Sequence, residues 1–270
     1  MLFRSLHGAG YAIAEYWNGS RWSVRRAATP GVFSTLSAIS CPSPANCYAA
    51  GEYTPRGTSY DPLIEHWNGS SWHQDAVPVP RGSAFSDLTD ISCRTAAFCV
   101  AVGFTATAGF AERWNGRTWT ATTPPSAASS QLYGVSCPAV TSCFAVGYGG
   151  AGTGSLVERW NGTTWSGSYT PGPTAGNPGG LQSVWCVSPL HCLAVGDHVG
   201  KGVYAVSWNG HGWHVVGVAP TGGKIEYFAQ VRCLSATSCV ALGATTATAA
   251  SERFESAFWN GRTWKIVPTA

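Results

Sequence analysis

Apolar and polar positions alternate in short runs, and the runs recur in a fixed order. In the third recurrence, Leu88 to Cys93 is followed by five residues, then Cys99 to Gly103, a loop, Phe110 to Trp114, Asn-Gly, and Arg117 to Thr122. Short alternating runs bounded by Gly, Pro, Asn and Ser predict strands, and helical periodicity is missing. The unit therefore reads as four strands, a, b, c and d in chain order. A Trp-Asn-Gly-x-x-Trp segment joins c to d. It begins at Trp17, Trp67, Trp114, Trp160, Trp208 and Trp259, and closes at Trp22, Trp72, Trp119, Trp165, Trp213 and Trp264. Asn-Gly between apolar segments predicts a type I′ hairpin, with positive φ at both central residues.

The segment returns every 46 to 51 residues. A four-stranded unit at this period predicts a β-propeller; a β-helix needs a shorter coil, and a sandwich would not copy one hairpin six times. The expectation is all-β: a six-bladed propeller in one domain, 1–270, with blades near 1–30, 31–80, 81–125, 126–171, 172–220 and 221–270. A full unit before Trp17 would place its first cysteine ahead of residue 1. Blade one is therefore expected to lack strands a and b, through truncation of upstream residues that would also carry an export signal.

A second motif is locked to the first. Cys41/Cys47, Cys93/Cys99, Cys137/Cys143, Cys186/Cys192 and Cys233/Cys239 all read Cys-x5-Cys and use all 10 cysteines. Isolated pairs without a recurring histidine or third cysteine suit disulfides better than buried thiols or a metal centre. The expectation is one bridge across each a–b hairpin, fixing the register of its strands, in an extracellular or cell-surface protein with no metal and no cofactor.

Charged residues are 11% of the chain and the formal net charge is +3. No Lys or Arg run is present beyond Arg25-Arg26, so nucleic acid is not expected as a partner. No apolar stretch reaches the roughly 20 residues of a membrane span. A monomer is expected.

The stretch Glu65-His66-Trp67-Asn68-Gly69-Ser70-Ser71-Trp72 and its copies ERWNGRTW and ERWNGTTW resemble the blade repeats of secreted bacterial kelch-like propellers. Their pairing with ISCRTAAFCVAVG and VSCPAVTSCFAVG is similar to a subgroup of exported bacterial proteins. The resemblance covers nearly the whole chain. It implies the blade fold and carries no catalytic residue.

The repeated tryptophans are expected to fill space between blades, with Trp185, outside the pattern, the better candidate for exposure. The glutamates two residues before the first Trp (Glu15, Glu65, Glu112 and Glu158) are expected to pair with a neighbouring blade or a backbone amide. The a–b and c–d turns never change length, whereas the b–c and d–a connections do, and these emerge on one face. Variable loops on a rigid scaffold are where binding sits.

Charge on that face is uneven. Blade two offers Glu52, Tyr53, Arg56, Tyr60 and Asp61; blade five offers Asp197, His198 and Lys201; blade six offers Lys224, Glu226, Tyr227, Glu252, Arg253 and Glu255. In a closed ring, blades five, six, one and two form one sector. Three residues before each first cysteine the units read Ala38, Asp90, Gly134, Ser183 and Gln230, and Asp90 is the one charge among them. The ligand-binding candidates are Glu52, Tyr53, Tyr60, Asp61, Asp90, Asp197, His198, Lys224, Glu226, Tyr227 and Arg253, with no catalytic residue assigned. Two readings stand: a non-catalytic propeller binding a glycan, cell-wall polymer or protein, and a carbohydrate-active hydrolase or lyase using carboxylates of the same face.

Overall fold

The computed structural model describes residues 2–5, 12–28, 30–55, 59–125, 128–150, 154–171, 179–198, 202–217, 225–248 and 251–268. These are strands and connections, with no helix among them. The chain divides into two compact units, Met1–Thr123 and Pro124–Ala270.

In the first unit, β1 (Leu2–Ser5), β2 (Ala12–Trp17) and β3 (Trp22–Arg26) make a three-stranded antiparallel sheet. Among the described residues blade one is incomplete, as expected, but by one strand rather than two. β1 pairs Leu2 with Glu15 and Ser5 with Ala12, and so occupies the place of strand b. Two four-stranded blades follow in chain order: β4 (Phe33–Ser43), β5 (Asn46–Thr54), β6 (Asp61–Trp67) and β7 (Trp72–Gln74), then β8 (Ser86–Thr95), β9 (Phe98–Thr105), β10 (Gly109–Trp114) and β11 (Trp119–Thr122).

The second unit holds three blades. The first is β12 (Gln131–Ala139), β13 (Ser142–Tyr148), β14 (Ser155–Trp160) and β15 (Trp165–Tyr169). The next two are β16 (Leu181–Ser188), β17 (His191–His198), β18 (Gly202–Trp208) and β19 (Trp213–Val215), and β20 (Ile225–Ser235), β21 (Ser238–Thr248), β22 (Ser251–Trp259) and β23 (Trp264–Pro268). A single bridge between Asp197 and Tyr227 joins these last two sheets.

Each Cys-x5-Cys pair is a disulfide within its own a–b hairpin: Cys41–Cys47, Cys93–Cys99, Cys137–Cys143, Cys186–Cys192 and Cys233–Cys239, with no cysteine free. Each bridge spans the two strands at the same place: the Cα atoms of Cys41 and Cys47, Cys93 and Cys99, Cys137 and Cys143, and Cys186 and Cys192 are 4.0 Å apart, and those of Cys233 and Cys239 are 3.9 Å apart. The a–b register is irregular at the hairpin tip in every complete blade, and the second cysteine also faces the first hairpin Trp on strand c, as Cys47 faces Trp67 and Cys99 faces Trp114. The second cysteine is also a core residue and not part of a ligand surface: Cys47, Cys99 and Cys143 are 1%, 0% and 0% exposed.

The Trp-Asn-Gly turn departs from type I′. Trp114 pairs directly with Trp119, which leaves four residues in the loop. Among the described residues only the glycine of each turn has positive φ, +90° at Gly116, and no asparagine does. The asparagine acts through its side chain: Asn115 Oδ1 accepts the N–H groups of Arg117 and Thr118, both at 2.9 Å. Asn18, Asn68, Asn161, Asn209 and Asn260 cap their turns in the same way. An Asn side chain that mimics a backbone acceptor explains the residue as fully as the φ preference did.

The glycine that ends each Cys-x-Ala-x-Gly run also has a structural cause. Strand a carries a β-bulge in every complete blade, between Leu36 and Ala38, Leu88 and Asp90, Leu132 and Gly134, Leu181 and Ser183, and Phe228 and Gln230. The b-strand glycine faces it. A Cβ at Gly103 would lie 1.8 Å from the Asp87 carbonyl oxygen, and one at Gly147 would lie 1.9 Å from that of Gln131. Only glycine allows this approach.

Blades stack through one repeated contact. Tyr48, Ala50 and Ile64 of blade two pack on Leu88, Ile91, Ala101 and Trp119 of blade three. Phe144, Val146 and Val157 of blade four pack on Leu181, Val184, Ala194 and Trp213 of blade five. The tryptophans are thus core residues, as at Trp67, Trp72 and Trp119, although Trp17 and Trp22 of blade one are 44% and 49% exposed. The first Trp of the hairpin ties the two invariant turns together: Trp114 Nε1 donates to Ala96 O, and Trp259 Nε1 to Ala236 O, at an a–b tip.

Candidate ligand site

The strand-a bulge shifts the register at one residue in each complete blade, four positions before the first cysteine: Ser37, Thr89, Tyr133, Gln182 and Ala229. Bulges re-aim side chains in this way. Two further positions sit beside it, six before the cysteine (Thr35, Asp87, Gln131, Gly180 and Tyr227) and directly after the b-strand glycine (Glu52, Phe104, Tyr148, Asp197 and Ala244).

In the second unit these positions converge. A methyl group built on Gly180 would lie 3.6 Å from Gln182 Nε2, 3.8 Å from an Asp197 carboxylate oxygen and 3.8 Å from Tyr133 Cε2. Tyr133 Oη donates to Gln131 Oε1. Burial raises the Tyr133 phenol above its ordinary value, and Asp197 and Tyr148 nearby add to the shift. Tyr227 is held next to Asp197 by the bridge between their backbones. All of these side chains are half-buried. The cluster offers one carboxylate, amide donors and acceptors, phenol hydroxyls and flat apolar rings around a glycine that takes no space. Such a set gives directional hydrogen bonds beside stacking faces.

The first unit carries a different arrangement. Glu52 and Asp87, on adjacent blades, lie close enough to interact: burial, with Asp87 beside it, pushes the Glu52 carboxyl up to about 7. Burial pushes Asp87 up to about 6. Glu52 Oε2 and Asp87 Oδ1 are buried without a hydrogen-bond partner among the described residues. Nearby, three rings form a row, Tyr60 to Phe85 at 5.7 Å and Phe85 to Phe104 at 5.6 Å, with Tyr60 40% exposed. Tyr60 is fixed by its own backbone, which donates to Ala84 O and accepts from Ser86 N–H. Phe104 thus makes the blade-three loop less featureless than its alanines and glycines suggest.

The sequence-derived candidates separate accordingly. Glu52 joins Asp87; Tyr60 joins the ring row; Tyr53 and Asp61 face each other in backbone register at the loop end of β5 and β6. Asp197 and Tyr227 come together. Asp90 Oδ1 accepts the N–H of its own neighbour Ile91 at 2.8 Å, so the one charge three residues before a first cysteine is turned toward its own backbone. Lys224 lies outside the described residues, as do Arg56 and Lys201. His198, Glu226 and Arg253 have their backbones in β17, β20 and β22, and their side chains are outside the described set. Trp185 is half-buried, with the Arg232 guanidinium 4.8 Å from its ring centroid.

Tyr133, Gln131, Gln182 and Asp87 join the candidate site without being among the sequence-derived candidates. Their signal was present in the variability of positions four and six before each first cysteine. Among the described residues, no group of three or more His, Cys, Asp and Glu is arranged to hold a metal ion, and no helix is long and apolar enough to cross a membrane.

No family model and no curated protein matches the sequence. Solved structures with a similar fold are β-propellers. The six-bladed fucose-binding lectin of the fungus Aleuria aurantia aligns at 11% identity with a TM-score of 0.61, over 96% of this chain and 86% of the lectin. YCF48, solved bound to a D1 peptide, aligns at 14% identity and a TM-score of 0.57, over 95% of this chain and 74% of its own. U3-55K aligns at 9% identity and a TM-score of 0.60; the match covers 87% of this chain and 64% of U3-55K. At these identities the likeness establishes the fold, a six-bladed β-propeller with an incomplete first blade.

Proposed function

We propose that this chain is a non-catalytic binding propeller that takes a glycan on its b–c and d–a loop face. The convergence of Asp197, Tyr133 and Gln182 over Gly180 carries the reading. A carboxylate and an amide can each engage vicinal hydroxyls, while a phenol ring covers the apolar face of a sugar. The fold shared with a fucose-binding lectin supports the same class of ligand. Five disulfides support an exported protein of the secreted kelch-like kind. A glycan array on the oxidised protein tests the proposal, followed by Gly180→Leu, which fills the space under the three side chains, and Asp197→Asn. Saturable binding lost in both variants, with the thermal transition unchanged, is the expected result. Binding that survives both variants places the ligand elsewhere.

One observation favours a second reading, a glycoside hydrolase or lyase. Glu52 and Asp87 are paired carboxylates with pKa values raised to about 7 and about 6, in the range of general acid–base chemistry. Product release from a polysaccharide panel, abolished by Glu52→Gln, would establish it.

A further inference from the structure

Where two blades meet at the face of the invariant turns, the residue after the second cysteine and the residue before the hairpin Trp form a cross-strand pair. In blade two these are Tyr48 and His66, stacked with centroids 4.4 Å apart. The Tyr48 ring sits 5.8 Å from Trp114 and 5.9 Å from Trp119 of the next blade, and its hydroxyl donates to Ala96 O. In blade four the pair is Phe144 and Arg159. Phe144 lies 5.4 Å from Trp208 and 5.7 Å from Trp213, and the Arg159 guanidinium covers both Phe144 and Trp208. In both places an aromatic ring, topped by a flat nitrogen-bearing group, plugs the slot beside the next blade's tryptophans.

The ring is confined to these two blades: the pair is Val100 and Arg113 in blade three, Val240 and Phe258 in blade six, and in blade five Leu193 and Ser207, the two smallest taken together. Phe228 covers Trp264 from the inner strand, at 5.5 Å, but among the described residues no equivalent ring covers Trp259. A cavity of about 290 Å³ opens there, lined by Leu193, Ser207, Trp259, Trp185, Trp208 and His191 among others. A cavity of about 150 Å³ holds benzene, and drug-sized ligands occupy pockets of roughly 300–1,000 Å³. The space is therefore large enough for one aromatic ring.

We infer that this vacated slot between blades five and six is a binding site for a single aromatic side chain presented by a polypeptide partner, Tyr or Phe with a basic neighbour. The chain itself shows what the slot takes, because Tyr48 with His66 and Phe144 with Arg159 occupy its two counterparts. The incoming ring lies against Trp259, and the Ser207 hydroxyl and His191 at the mouth meet the polar edge of the guest. This site lies on the turn face and is independent of the glycan reading.

The experiment titrates the oxidised full chain with N-acetyl-L-tyrosine amide and, separately, with methyl α-glucoside. The readout is the indole N–H resonances of Trp185 and Trp208, assigned from their Phe variants. Saturable shifts are expected with the tyrosine amide and not with the glucoside. The double variant Leu193→Phe/Ser207→Arg copies the blade-four plug; it should weaken tyrosine amide binding about tenfold or more and raise the melting temperature. Leu193→Phe alone, which changes less, should do both in part. Shifts from the glucoside alone, shifts from neither probe, or plug variants that fold but bind undiminished would each overturn the assignment.

Discussion

Glu65 Oε2 accepts the backbone N–H of Ala28, 2.9 Å away in the segment that leaves the preceding blade. This is the amide partner expected for the repeated glutamate. One blade on, the same relationship is broken. The residue corresponding to Ala28, six after the closing Trp, is Pro78, which has no N–H to give. Glu112 is as fully buried as Glu65, and neither of its carboxylate oxygens is hydrogen-bonded among the described residues; burial pushes both groups up to about 8.

A carboxyl that binds its proton more tightly folded than unfolded favours the fold at low pH. The contribution is complete below the unfolded value of about 4.5 and is lost as pH rises to about 8. Glu112→Gln should flatten this fall, seen as melting temperature against pH between 5 and 8.5. Glu112→Val, copying Val206 at the same register in blade five, should stabilise the protein at pH 8 by on the order of a few kcal/mol. A variant less stable than the parent at that pH would show that the carboxylate has a partner in solution.

The Glu52 and Asp87 pair predicts a titration. Asp87, at about 6, ionises first and raises the cost of charging Glu52, so Asp87→Asn should lower the Glu52 pKa from about 7, measured by carboxyl carbon shifts. As with Glu112, both groups lose their stabilising contribution as pH rises to about 6 and 7. An unchanged Glu52 titration in the variant would separate the two groups.

Gly103→Ala should destabilise by about 2 kcal/mol or more, because the new methyl meets the Asp87 carbonyl oxygen at 1.8 Å in the backbone of the bulge. Gly217→Ala, with open space around it, should change stability by less than about 0.5 kcal/mol. Chemical denaturation of the two variants side by side checks the contrast.

Asn115→Ala removes the acceptor for two turn amides and should cost about 1 kcal/mol, while Asn115→Asp keeps the acceptor and should cost less. Equal losses would return the weight to backbone φ.

The blades, their strand order and the disulfides were legible because each is written into the spacing of large or reactive residues, repeated until chance is excluded. The site was legible only where a charged residue sits at a strand end, as at Asp197 and Glu52. Tyr133 and Gln182 stayed hidden for a physical reason: a one-residue bulge reverses which side of strand a they face, and alternation read from sequence assumes no such slip. The turn departs from its sequence expectation for a related reason. Asn-Gly predicts a two-residue loop, but direct pairing of the two tryptophans lengthens it to four and moves the asparagine's work to its side chain.

Every disulfide joins residues six apart, inside one hairpin. No thiol has to wait for a distant partner, so each bridge can form as soon as the two inner strands of its own blade have been made. The same locality acts at the level of the gene. A copy of the repeat gained or deleted carries both of its cysteines with it and strands none, so the number of blades can change without rewiring a single cross-link.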